Sequence, residues 1–232
     1  MLSRILAGII AAGAAIGCIG LGFWQLDRHE QRAAQNAVIE QRLSEPLLPL
    51  RLDASLDLDR DSHEFRRARV KGVFDYSREV IEQGRVVNGV PAVYVVTPLT
   101  LQNGGVLLVE RGYALSPDAR GVDVATLREA DSVVVEGMLV RLDGGTPPSD
   151  TTWPIYVRRA DPVALQPLFD ETLEPLVLRR TVMPSDLPRG MGAAPLPQLT
   201  RGPHLAYAVQ WFLFATIAVV GPLVVSGVFK RR

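Results

Sequence analysis

The sequence predicts an integral membrane protein in which two transmembrane α-helices, about 5–26 and 205–229, flank a mostly antiparallel, β-rich α+β extracytoplasmic domain. Three observations carry this expectation. Ile5 to Leu26 is 22 residues without a charge and Leu205 to Phe229 is another 25, whereas a bilayer core needs about 20 apolar residues at ~1.5 Å rise each. From Glu64 onward the texture changes to short β-branched runs punctuated by Gly, Asn and Pro, as in strands joined by turns. Basic residues stand at the outer ends of both spans, Arg4 at one and Lys230, Arg231 and Arg232 at the other, which puts both termini in the cytoplasm by the positive-inside rule and the middle outside.

The first span exceeds the roughly 7–15 residues of a signal-peptide core, so it reads as an uncleaved anchor. Only Met1 to Arg4 precede it, too few for an organellar transit peptide, and a bacterial inner-membrane protein is expected. Four of the 25 Lys+Arg lie at the ends, leaving 21 against all 25 Asp+Glu, so the exported part carries a net charge of −4. That excludes nucleic acid and anionic lipid as electrostatic partners. The single cysteine, Cys18, lies inside the first span, so the exported domain has no disulfide. Ala15-Ile16-Gly17-Cys18 resembles a lipoprotein cleavage box only loosely, because an apolar run follows where a polar tether belongs.

Taken in order, the expected segments are a cytoplasmic N-terminus (1–4), the first span (5–26), a helical stalk (27–45), the β-rich domain (46–182), a proline-rich linker (183–203), the second span (204–229) and a basic cytoplasmic tail (230–232). Gly13, Gly17 and Gly20 fall near one face of the first span, where another helix can approach closely, the second span of the same chain being the obvious partner and a helix of another protein the alternative. The stalk is rich in strong helix formers until Pro46 stops it. An irregular connection covers 47–61, and strands are expected near 64–74, 78–83, 91–99, 105–113, 132–141 and 176–182. Asn103-Gly104-Gly105 supplies a hairpin turn, and short helices are expected around 124–130 and 162–169. Six strands spaced by turns point to a small barrel or sandwich.

The search for chemistry returns little. His29, His63 and His204 are scattered singly, without zinc-site spacing, and there is no G-x-S-x-G elbow. The pairs Gly104-Gly105 and Gly144-Gly145 are turn residues rather than a phosphate cradle, so no enzyme is expected. His204 stands at the mouth of the second span, and at helical spacing Tyr207, Ala208 and Trp211 share its face. An imidazole with aromatic walls suits a large planar ligand. The same residues equally suit an interfacial aromatic belt.

Several blocks, in order, resemble the surfeit locus protein family of cytochrome c oxidase assembly factors. Gly22-Phe23-Trp24-Gln25-Leu26-Asp27-Arg28 is similar to that family's G-x-W-Q-x-x-R signature. Gly72-Val73-Phe74-Asp75 with Glu79, then Thr97-Pro98-Leu99, then Arg111-Gly112-Tyr113 resemble later blocks, and the closing block is His204-Leu205-x-Tyr207-Ala208-x-x-Trp211-Phe212. The family more often shows Asn-Arg-Gly-Trp where this chain has Glu110-Arg111-Gly112-Tyr113, and an Asn-Pro-type block is replaced by Pro147-Pro148-Ser149-Asp150 before Trp153.

The resemblance implies a factor that binds haem a and assists its insertion into subunit I of a haem-copper terminal oxidase. Its partners are that subunit, other oxidase assembly or haem a synthesis proteins, and membrane lipid. It also implies His204 as the axial ligand of the haem iron, and the candidates around the cofactor are Tyr207 and Trp211 on the same helical face with Trp24, Gln25, Arg28 and His29 near the same membrane face. Trp24 and Gln25 read equally as a haem cradle, as contacts with the oxidase subunit, or as belt residue and interhelical hydrogen-bonder. Arg28 suits a haem propionate, and His29 is either a second ligand or a solvated stalk residue. The competing expectation is a membrane-anchored scaffold that holds an oxidase subunit without a cofactor.

Overall fold

The computed structural model describes residues 2–50, 58–101, 104–184, 188, 190–197 and 199–225, without the side chains of residues 3, 4 and 225. Lys230, Arg231 and Arg232, the end of the second span at 226–229, Asn103 of the expected turn and part of the 47–61 connection lie outside the described residues. The chain divides into two compact units, Met1–Glu40 with Gln198–Arg232, and Gln41–Pro197.

The first unit is built from two long helices, α1 (Leu2–Ser44), whose last turn belongs to the second unit, and α4 (His204–Val225). Both are apolar and long enough to cross a membrane, which fits a protein with two spans. They meet along small side chains: Ala15 and Gly22 of α1 and Ala208 and Ala215 of α4 are buried, and Phe23 meets Phe212 edge to face with ring centroids 5.4 Å apart. The expected face differs from the observed one. A Cβ built on Gly13, Gly17 or Gly20 meets nothing within 4 Å, whereas one on Gly22 lies 2.5 Å from the Phe212 ring. At about 3.6 residues per turn, the Ala15–Gly22 stripe lies roughly half a turn away from Gly13 and Gly17.

The second unit is a β domain with nine strands among its described residues: β1 (Leu48–Leu50), β2 (Arg67–Phe74), β3 (Val80–Val87), β4 (Val90–Thr100), β5 (Val106–Leu115), β6 (Ser132–Val140), β7 (Ile155–Val157), β8 (Val177–Arg180) and β9 (Met191–Gly192). Short helices α2 (Arg60–His63) and α3 (Pro162–Leu165) interrupt them, and the helix expected at 124–130 is a single 3-10 turn, Val124–Leu127. Strands β2, β6, β8, β5 and β4 pair in a closed ring, since β2 leaves β6 at its end to pair Val73 with Thr100 and Phe74 with Leu99 of β4. The corner needs Gly72, where a Cβ would come within 2.7 Å of Leu99 and of the Thr100 carbonyl. Antiparallel ladders dominate, as expected, while the short pairings of β1 with β2, β3 with β7 and β5 with β8 run parallel, so the sheet is mixed.

Strand β2 alternates strictly, with Ala68, Val70 and Phe74 buried and Arg67, Arg69 and Lys71 exposed. Its buried face joins Leu99, Leu107, Val109, Leu139 and Leu178 inside the ring. The run Val106-Leu107-Leu108-Val109 does not alternate because it is buried on both sides: Val106 and Leu108 face a second cluster closed by Ile155, Leu165 and Phe169. Asn88-Gly89, both at positive φ, close the β3–β4 hairpin.

At Val95/Val96 the β4–β5 ladder shifts register, leaving Arg111 between the partners of Val95 (Gly112) and Val96 (Glu110). Arg111 lies on the face of β5 that carries Leu107 and Val109, four and two residues earlier, and so points into the same cluster as Phe74. Its side chain is 0% exposed, with Nη1 donating to Glu79 Oε1 at 2.9 Å and Nε to Glu129 Oε1 at 2.9 Å. A further nitrogen donates to the Leu127 carbonyl, and the guanidinium stacks against Phe74 and Tyr76, 5.4 and 5.1 Å from their ring centroids. Arg180 donates to both Glu129 oxygens at 2.8 Å. Arg111 is therefore part of the domain core and not a docking surface. Burial pushes the Glu79 carboxyl above its usual range, while the Arg111 charge and the Thr97 hydroxyl pull it back.

Replacing Arg111 with Met leaves Glu79 and Glu129 buried with fewer partners, and we expect a loss of about 3–5 kcal/mol in denaturant unfolding at pH 7. A carboxyl whose folded pKa lies above its unfolded one stabilises most below the unfolded value and loses that contribution as pH rises through the folded value. The deficit of Arg111→Met should therefore be larger at pH 8 than at pH 5. A deficit that does not change with pH removes Glu79 as its origin.

Candidate functional site

The residues singled out in the first unit fall on two helix faces. On α1, Trp24, Arg28, Gln31 and Gln35 follow 4-3-4 spacing and form one stripe, and Gln25 and His29, four apart, lie on the adjoining face. The helix α4 begins at His204 directly after Pro203, whose carbonyl accepts the first helical hydrogen bond from the Tyr207 amide at 3.1 Å. Its first residue thus sits where the apolar run starts.

His204 and Gln25 meet: the ring nitrogen Nδ1 lies 2.9 Å from Gln25 Oε1, a hydrogen bond between residues 179 apart in sequence. Among the described residues none reaches Nε2. Beside this pair is a cavity of about 420 Å3 lined by Trp24, Arg28, Gln31, Arg32, Gln35 and His204. Arg28 is held in place twice: its guanidinium lies 5.9 Å from the Trp24 ring centroid, and Nη1 donates to Gln31 Oε1 at 3.0 Å. Gln31 in turn donates to Asp27 Oδ2 at 2.8 Å. Arg32 lines the same cavity and makes no ion pair among the described residues.

His29 is half-buried, and its Nδ1 is buried without a hydrogen-bond partner. Such orphaned nitrogens are rare, because a lost bond to water is normally replaced. Tyr207 is exposed, and Trp211 packs edge to face on Phe214 with centroids 5.8 Å apart. Neither of these two aromatics lines the cavity. The turn of α4 that faces α1 carries Ala208 instead, which is fully buried. The structure therefore brings together His204, Gln25, Trp24 and Arg28, with His29 one turn beyond Gln25, and leaves Tyr207 and Trp211 outside the cavity lining.

Gln31, Arg32 and Gln35 were not singled out from sequence. Continuing the 4-3-4 stripe from Trp24 and Arg28 finds Gln31 and Gln35; the spacing was legible, but polar residues on a helical stalk look like an ordinary wet face. A cavity of about 420 Å3 is of small-molecule size by the usual ~300–1,000 Å3 range. With an imidazole, an indole wall and two guanidiniums, it suits a flat ligand that carries carboxylates.

Comparison with known proteins agrees in extent with the sequence blocks. The model of the SURF1 family matches residues 12–216. An uncharacterized SURF1-like protein of Mycobacterium bovis is 27% identical over 204 residues, covering 85% of this chain and 73% of that protein. Surfeit locus protein 1 of Rattus norvegicus is 26% identical over 215 residues, 83% of this chain and 67% of that one. Surfeit locus protein 1 of Arabidopsis thaliana is 34% identical over a shorter 104 residues, 40% of this chain and 29% of that protein.

Gly22→Leu tests whether the helix contact supports this site, because the new side chain must enter the space of the Phe212 ring. Overpacking of this kind destabilises by about 1–3 kcal/mol. We expect the variant to unfold at lower SDS concentration than the unmodified protein, while Gly13→Leu, at an open position, leaves the midpoint unchanged.

Proposed function

The chain belongs to the SURF1 family, and from that premise we propose that it is a membrane-anchored assembly factor for cytochrome c oxidase, a haem-copper terminal oxidase, which binds haem a and assists its insertion into subunit I. The observation that carries the proposal is His204, hydrogen-bonded to Gln25 through Nδ1 and lining a cavity with Trp24, Arg28 and Arg32.

The residues present fit such a cargo. Neutral imidazole is a usual axial ligand of haem iron, and His204 has a ring nitrogen to spare. Arg28 and Arg32 offer the charge-assisted forks that hold carboxylates, and Trp24 offers a flat apolar wall. The buried Nδ1 of His29 has no protein partner among the described residues, and a role beside the cargo would use it. Haem a supplies the iron, two propionates that prefer the interface and a long apolar tail that prefers lipid. A site at the mouth of a span serves both preferences.

In this reading the protein sits in a bacterial inner membrane, with both termini cytoplasmic and the β domain periplasmic. Subunit I and other oxidase assembly or haem a synthesis proteins are its partners, and it acts by holding and presenting rather than by catalysis. A scaffold that grips an oxidase subunit without a cofactor is the second reading. It draws on Gly8, Gly13, Gly17 and Gly20 of α1, whose open faces leave room for another helix.

Purification from cells that make haem a and from cells that do not separates the two. We expect a Soret band only in the first case, lost in His204→Ala while the variant remains folded in the membrane. Protein that is colourless from both sources supports the scaffold, and full haem retention in His204→Ala refutes the ligand. For His29→Ala an altered haem spectrum is expected, and an unchanged one removes His29 from the site.

A further inference from the structure

We infer that Gln25 is the positioning residue of the site: by accepting the Nδ1 proton of His204 it holds that imidazole in the one neutral tautomer whose Nε2 is free to bind a metal ion. The inference rests on the reading of His204 as an iron ligand and adds what makes it one.

A neutral imidazole carries its proton on one nitrogen and a lone pair on the other, and only the lone pair can coordinate. In an unconstrained histidine the proton favours Nε2, the outer nitrogen, which blocks that position. Here Nδ1 faces an amide oxygen at 2.9 Å. An oxygen with no hydrogen accepts, so this bond is made when the proton stands on Nδ1 and the lone pair on Nε2. Histidines that bind metals are generally held in this way, with the other ring nitrogen donating to a carbonyl or carboxylate, which sets the tautomer, aims the ring and raises its basicity.

A second observation concerns the other edge of the ring. Gly202, two residues earlier, has φ +69, and a Cβ built there would sit 3.2 and 3.3 Å from Cδ2 and Nε2 of His204. Any other residue would lean on the coordinating edge and be strained besides. Glycine leaves it clear. Gln25 on one side and Gly202 on the other therefore act on the two nitrogens separately, one by engaging Nδ1 and the other by staying off Nε2. This gives Gln25 a role distinct from that of a cradle wall, since it touches the ligand's ligand and not the cargo.

The hydrogen bond also links α1 to the start of α4, within one unit of the chain. Ligand competence of His204 is thus conditional on the two helices being paired. A factor that must give up its cargo would gain a release route from this: separating the helices at that end would remove the acceptor and lower the basicity of the imidazole, and once Nε2 had left a metal the proton could move to it and disfavour rebinding.

The test uses the full chain in detergent micelles, labelled with 15N in its histidine rings and held at pH 8, where imidazoles are neutral. The His204 signals are identified by their absence in His204→Ala. We expect the unmodified protein to show Nδ1 protonated and Nε2 bare before any haem is present. Gln25→Leu should move the proton to Nε2 and weaken haem a binding by about 10–100-fold. In Gln25→Glu, which keeps an acceptor oxygen, we expect the tautomer and the binding to be restored and the reduction potential of the bound haem to fall. If Gln25→Leu does not fold, Gln25→Glu and the unmodified protein still decide the matter.

A proton found on Nε2 in the unmodified protein, or a tautomer that Gln25→Leu leaves unchanged, overturns the inference while leaving haem binding by His204 intact. Conversely, a protein with the expected tautomer that takes up no haem a overturns the proposed cargo and leaves the positioning role of Gln25 standing.

Discussion

The β domain is arranged about one buried guanidinium. Arg111 enters the core on the face of β5 that carries Leu107 and Val109, beside a bulge in the ladder to β4, and it collects Glu79 ahead of β3, Thr97 of β4, Glu129 ahead of β6 and the rings of Phe74 and Tyr76. The contacts come from three stretches of the chain, around 74–79, at Thr97 and at Glu129. A charge taken out of water is tolerated only when nearly all of its donors are used with good geometry. The ring of strands and the Arg111 network therefore require each other: the strands bring the acceptors into place, and a slipped register would leave charges buried and unpaired.

Two further buried carboxylates follow the same rule. Glu110, next to Arg111 and equally buried, is held by Arg179 through two 2.9 Å bonds, and Glu82 receives the Ala160 amide and Arg85. Burial raises the Glu110 carboxyl above its ordinary value against the pull of Arg179. These pairs contribute little net energy compared with apolar residues of similar size, and their value lies in penalising alternatives. A small barrel of mixed strand direction has many near-degenerate registers, and paired buried charges separate them.

In the helical unit, specificity comes from closeness rather than charge. Gly22 lets the Phe212 ring lie against the α1 backbone, and Ala15, Ala208 and Ala215 keep the rest of the seam narrow. At its end the seam changes character: Gln25 meets His204, and beyond them the polar stripe Arg28, Gln31, Arg32 and Gln35 opens a cavity. An apolar seam ending in a hydrogen-bonded imidazole joins a lipid-seeking environment to a charged one over a few residues. That is the property a carrier of an amphipathic planar cargo requires.

The amino-acid sequence alone determined whatever depends on local composition. Uncharged runs announced both long helices, β-branched runs between turn residues announced most of the longer strands, and the Trp24 to Arg28 and His204 blocks carried the family. Contacts between residues far apart in sequence were decided only by the tertiary structure. Strands of two or three residues, β1, β7 and β9, are too short to show a period and form because a neighbour offers unpaired amides. Gly13, Gly17 and Gly20 mark a face open to another helix, yet the glycine that α4 meets is Gly22, since glycine spacing shows where a helix can be approached and not which partner is there. Tyr207 and Trp211 share a helical face with His204 in sequence, yet the cavity is completed from the other helix, and the Gln25 bond to His204 spans 179 positions. Periodicity is a property of one helix, whereas a site made by two helices depends on their rotation about their own axes, which side-chain packing along the whole seam sets.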